Sequence, residues 1–178
     1  MLKENYSKDV SGQIPGQDNL SIKDKLLADA ENYIQNERYD EAEKNLIEVI
    51  GLDSKDISVF VKLGHLYFKR NSSQEALQTL EHALKLCEVQ GKEGCDLGNI
   101  YFDLAEVHEN MENFKSALIY SNKAVNVEQN NPRYLDMKLR ISIMLKDKIS
   151  ALDAFEKLLD VNPENQKLID FKKQIDEI

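Results

Sequence analysis

The sequence predicts an all-α fold: four antiparallel helix pairs stacked side by side, with a short helix closing the C-terminal end. Three observations lead there. From Ser21 onward apolar residues recur at helical spacing with almost no interruption, and the alternation expected of strands is absent. Alanines stand at Ala42, Ala76, Ala117 and Ala151, spaced by 34, 41 and 34 residues. Each belongs to an apolar helical segment: EAEKNLIEVI, EALQTLEHAL, SALIYSNKAV and SALDAFEKLL. Twelve residues before them stand Ala30, Gly64, Ala105 and Leu139, three of the four small. A 34-residue repeat of two helices, packed closely at small side chains, accounts for all three observations.

The elements follow in order. Residues 1–20, MLKENYSKDVSGQIPGQDNL, carry Gly12, Pro15 and Gly16 among polar residues and read as a flexible polar leader. Helical structure is expected to begin near Ser21, where S-I-K-D offers a capping pattern. Residues 21–178 then divide into repeats at about 23–56, 57–97, 98–131 and 132–165, leaving 166–178. Asp40, Ser72, Asn131–Pro132 and Asn162–Pro163 mark expected helix starts, each proline standing in a first turn where its missing N–H does no harm.

In the second repeat, FVKLGHLYF sets Gly64 inside an apolar helix. Glycine there costs about 1 kcal/mol relative to alanine. Close approach of the facing helix, which carries Ala76, offsets that cost through better dispersion contacts. The 41-residue interval adds seven residues to this repeat. Its second helix is expected to reach about Gln90, with Gly91 and Gly94 in the turn. In the fourth repeat Leu139 replaces the small residue, and Ser142 replaces the Tyr33, Tyr67 and His108 of the others. Beyond it, Leu168, Phe171, Ile175 and Ile178 form one stripe, with Lys172, Lys173 and Asp176 elsewhere on the helix. That is a capping helix with a polar outer face, which a stack needs in order to end.

The stretch LGHLYFKRNSSQEALQTLEHALKL resembles the tetratricopeptide repeat in its order of small residue, aromatic, alanine, large apolar residue and alanine. The resemblance spans residues 23 to about 165 and departs from the pattern in the fourth block. It implies a right-handed superhelical solenoid in which the first helix of each pair lines a concave groove holding an extended or helical peptide. Carried over position by position, the lining residues are Leu27, Glu31 and Ile34 in the first repeat and Val61, Lys62, His65, Phe68 and Lys69 in the second. The third contributes Asn99, Phe102 and Glu106, and the fourth Arg133, Met137, Arg140 and Met144. Phe68 and Phe102 are the expected apolar anchors; Lys62, Lys69, Arg133 and Arg140 are expected to pair with acidic groups of the occupant. A family subgroup grips chaperone C-terminal carboxylates with a lysine–asparagine set, but Leu27 and Glu31 stand at the matching places, so that clamp is not reproduced.

Other classes of function are disfavoured. A net charge of −9 and a pI near 4.9 oppose binding to a nucleic-acid backbone or an anionic membrane surface. RNA reading in the groove is further opposed by Glu31, Glu106 and Glu109. No apolar run approaches the roughly 18 residues of a membrane span, and residues 1–20 lack a secretory signal, so a cytoplasmic location is expected. Cys87 and Cys95 read as ordinary thiols of a reducing compartment. Of the three histidines, His65 is expected to face the inner side, His82 to be exposed, and His108 to pack with a hydrogen-bond partner. None has the spacing of a nucleophile and base, and no CxxC, HExxH or phosphate-binding loop is present. The reading is a non-catalytic scaffold, without cofactor or metal, that binds a protein segment in its groove. The alternative is a self-associating module that forms homo-oligomers through its groove or its terminal helices.

Overall fold

The computed structural model describes residues 22–91 and 95–178, and every regular element among them is an α-helix. The first pair is α1 (Ile22–Gln35) with α2 (Tyr39–Leu52), and the second α3 (Ile57–Lys69) with α4 (Ser73–Val89). Next come α5 (Leu97–Asn110) with α6 (Phe114–Val127), and α7 (Pro132–Met144) with α8 (Lys148–Val161). Each pair packs on itself, its second helix packs on the first helix of the next pair, and α9 (Leu168–Asp176) covers α7 and α8. This is the expected solenoid of four helix pairs with a capping helix. Residues 1–20, Ser21 and Gly94 lie outside the described residues, so the leader, the first capping pattern and one turn glycine receive no structural account.

The same turn is used four times. Glu37, Asn71, Glu112 and Lys146 adopt left-handed backbone, with φ of 58°, 61°, 58° and 57°. Each stands five residues before a repeat alanine, so the turns share the alanine spacing. The next N–H reaches back five residues: Arg38 to the Tyr33 carbonyl at 2.8 Å, Ser72 to Tyr67 at 2.9 Å, Asn113 to His108 at 2.8 Å, and Asp147 to Ser142 at 2.9 Å. This closure satisfies carbonyls that a helix end would otherwise leave bare. It reverses the chain within three residues and sets each second helix against its first.

Packing follows the small residues. Ala42, Ala76, Ala117 and Ala151 are completely buried, as are Ala105 and, nearly so, Ala30. Gly64 is buried too, and a Cβ built on it would lie 2.7 Å from Leu80 Cγ on α4. The close partner is therefore Leu80, one turn beyond Ala76 on the same helix. Ser142, buried where the other repeats carry an aromatic ring, donates its hydroxyl to the Lys138 carbonyl at 2.7 Å. Leu168, Phe171 and Ile175 of α9 are buried against α7 and α8, with Ile178 partly buried beside them.

Three sequence expectations are corrected. Asn162–Pro163 does not start a helix: Asn162 ends α8 with its N–H on the Leu158 carbonyl, and Pro163 stands just outside, where it cannot continue the helix. Cys87 and Cys95 are not free thiols but a disulfide, with Cα atoms 5.9 Å apart. It closes the lengthened connection between α4 and α5, where Gly91 takes the turn at φ 84°. His108 packs as expected, stacked on Tyr120 at 5.4 Å, yet its buried Nδ1 has no hydrogen-bond partner.

Candidate functional site

The first helices of the pairs, α1, α3, α5 and α7, carry a ladder of charged pairs. Lys62 on α3 pairs with Glu31 on α1. His65 on α3 meets Asp103 on α5, Nε2 to Oδ2, at 2.6 Å. Arg140 on α7 pairs with Glu109 on α5 and reaches Asp136 at 3.2 Å. The separations are 31, 38 and 31 residues, so the middle rung absorbs the seven-residue insertion. Exposed ion pairs contribute little each. Asp103 is different: it is only 7% exposed, and a buried carboxylate needs its partner.

Two pockets open between these helices. One, of about 440 Å³, lies between α3 and the start of α5; Val61, His65, Asn99 and Asp103 line it, Cys95 and Asp96 edge it, and Arg133 reaches it from α7. The other, of about 400 Å³, lies between α5 and α7, lined by Phe102, Glu106, Asp136 and Arg140, and Arg133 lines it as well. The Arg133 guanidinium sits over the Phe102 ring, 4.5 Å from its centroid. Burial and the neighbouring Asp103 carboxylate push the Glu106 pKa up.

The start of α5 is held from several sides. Asp96 caps the helix, accepting from the Asn99 N–H at 3.1 Å, and also accepts from the Asn99 side-chain amide. Asn99 in turn accepts the Tyr134 hydroxyl at 3.0 Å. Tyr134 fits because Gly98 is bare; a Cβ there would stand 2.9 Å from the Tyr134 oxygen. Burial, then the charges of Glu128 and Asp96, push the Tyr134 pKa up to about 12, so its hydroxyl stays protonated and donates.

The expected groove residues divide. Val61, Lys62, His65, Asn99, Glu106, Arg133 and Arg140 line the pockets. Leu27 and Ile34 are half-buried against the N-terminal core, and Phe68 against the middle one. Phe102 is buried, between Tyr134 and Arg133. Met137 is only 1% exposed and belongs to the core beneath α7, a correction to its expected place on the groove wall. Lys69 and Met144 are exposed at the last turns of α3 and α7. Asp103, Asp96 and Tyr134 were not singled out by the sequence, and Cys95, read there as an ordinary thiol, was not expected at the groove. A single acid within the apolar run IYFDLA was the available signal for Asp103. Among the described residues no group of His, Cys, Asp and Glu is arranged to hold a metal ion, and no helix is long and apolar enough to cross a membrane.

The helix pairs, their shared turn and their small-residue crossings now have a counterpart: the tetratricopeptide-repeat family model matches residues 55–129. Over that stretch the chain is similar to tetratricopeptide repeats. The solved structures extend that fold over most of its length. A tetratricopeptide repeat protein from Parabacteroides merdae superposes with a TM-score of 0.76 at 16% identity, over 88% of this chain and 59% of that one. This chain therefore spans well under two thirds of that relative. PilF from Pseudomonas aeruginosa gives 0.73 at 15% identity, over 87% and 68% of the two chains. YrrB, described as a tetratricopeptide-repeat protein with an unusual peptide-binding site, gives 0.66 at 17% identity, over 85% and 84%. At these identities the likeness concerns the fold. No curated protein matches the sequence.

Proposed function

We propose that this chain is a non-catalytic scaffold that holds an extended segment of a partner protein across α3, α5 and α7. The carrying observation is the Arg133 guanidinium, laid over Phe102 where the two pockets meet. Lys62 and Arg140 already face carboxylates of neighbouring repeats. Arg133 forms no contact ion pair among the described residues, and it offers a planar donor fork of the kind that grips carboxylates and backbone carbonyls. Glu106, held in a setting that disfavours its charge, supplies an acceptor for an N–H or cationic group of the same segment. The peptide-binding site described for YrrB supports the same use of the fold.

Selection of random peptides displayed on phage tests the reading. Peptides recovered on the wild-type chain should bind Arg133→Glu at least tenfold more weakly, with its thermal midpoint unchanged. They should also bind His65→Glu more weakly, a variant whose midpoint falls because buried Asp103 loses its partner. Peptides indifferent to both substitutions would place binding elsewhere.

A further inference from the structure

The Cys87–Cys95 disulfide and the α3–α5 pocket share atoms: Cys95 lines the pocket and is half-buried, whereas Cys87 is completely buried at the end of α4. Asp96, the next residue, caps α5 and holds Asn99, and both line the same wall. Gln90, just past α4, donates from its side chain to the Lys55 carbonyl before α3, at 2.8 Å. The pocket thus lies where α4 ends and where α3 and α5 begin. The connection here runs seven residues, from Gln90 to Asp96, against four between α2 and α3 or between α6 and α7. A longer connection leaves the next helix start less constrained, and here a covalent bond spans it.

Resting on the groove reading above, we propose that the Cys87–Cys95 disulfide is a redox control of the α3–α5 pocket. With the bond formed, the Cys95–Asp96 backbone is fixed and the wall made by Asp96, Asn99 and Ile100 is ready to receive a segment. With the bond reduced, the first turn of α5 loosens and the wall is lost. The exchange is balanced by a dithiol. One of its thiolates attacks Cys95 Sγ from the open pocket, forming a mixed disulfide while Cys87 leaves as thiolate and takes a proton from solvent. The second thiol then attacks the mixed disulfide, releases Cys95 and closes the reagent's own disulfide. Two electrons pass from the dithiol to the protein. In a compartment that keeps thiols reduced, such bonds are transient and sensory.

Hydrogen exchange on the full chain, with and without dithiothreitol, tests this without any ligand. Reduction should speed exchange of the Asn99 to Asp103 amides by tenfold or more and leave α7 and α8 unchanged. Cys95→Ser should exchange like the reduced wild type and not respond to dithiothreitol. Equal exchange in both redox states would overturn the proposal, as would acceleration spread evenly through α7 and α8, which would make the bond a general stabiliser. Failure of the phage selection with this exchange pattern intact would remove the groove reading and leave the redox coupling standing.

Discussion

Gly64 gives the sharpest test of the packing. A Cβ at this position would lie 2.7 Å from Leu80 Cγ and 2.8 Å from Cδ2. Leu80 is fully buried, so it has no solvent into which it can swing. Gly64→Ala therefore forces α3 and α4 apart or drives Leu80 off its rotamer, an overpacking cost of about 1–3 kcal/mol. Against this stands the helix propensity gained by replacing glycine, about 1 kcal/mol. The net effect in the wild type is neutral to about 2 kcal/mol destabilising. In a Leu80→Ala background the obstruction is gone and only the propensity gain remains, so the same substitution should stabilise by about 1 kcal/mol. The coupling between the two positions should therefore be about 1–3 kcal/mol. Urea unfolding followed by circular dichroism on the four proteins measures it, with the transition slope checked because repeat arrays depart from two-state behaviour. An effect of Gly64→Ala with the same sign and size in both backgrounds would refute close approach as the reason for glycine.

Further outcomes follow from the turns and from the titrating groups. Glu112 and Lys146 hold left-handed φ without being glycine, so Glu112→Gly and Lys146→Gly should each stabilise by roughly 0.5–1 kcal/mol and add, as midpoints from thermal scans will show. Burial lowers the His108 pKa below its ordinary 6.5, so the unfolded chain takes up its proton first. The stability tied to neutral His108 is complete above about pH 6.5 and is lost as pH falls through the folded value. Unfolding of His108→Phe across pH 5–8 should lack that component. Glu106 is the opposite case: its raised pKa favours the neutral acid, so folding is favoured at low pH and weakened as pH rises through the folded value. Glu106→Gln should raise the midpoint at pH 7 and leave it nearly unchanged at pH 4. Tyr134→Phe strips the buried donor from Asn99 and should cost about 1–2 kcal/mol in urea titrations.

Much of the fold was legible because the hairpin crossing is a local device repeated in register. Ala42, Ala76, Ala117 and Ala151 can be read along the chain without knowing any tertiary contact. The cap was legible for the same reason, since Leu168, Phe171 and Ile175 share one face of a single helix. The turn residues were not read in advance, because glycine is the usual marker of left-handed backbone and Glu37, Glu112 and Lys146 lack it. The groove was legible only in outline. A first-helix residue can face the groove or the neighbouring first helix, and a one-position difference on the helix separates exposed His65 from buried Leu66 and Gly64. Met137 fell on the core side by that rule. Lys62 and Arg140 were expected to meet an occupant, but each finds a carboxylate 31 residues earlier, on the preceding first helix. The Cys87–Cys95 bond depends on where α4 stops and α5 starts, which the irregular repeat length left open.

The central claim is that the face made by the first helices, around Arg133, His65 and the start of α5, is the one that receives a partner. Titration of a phage-selected peptide into isotope-labelled protein, followed by backbone amide chemical shifts, tests it most directly. The expected result is a set of shifts concentrated on α3, the first half of α5 and α7, with α2, α6 and α8 silent. Shifts concentrated on α2, α6 and α8 instead would contradict the account.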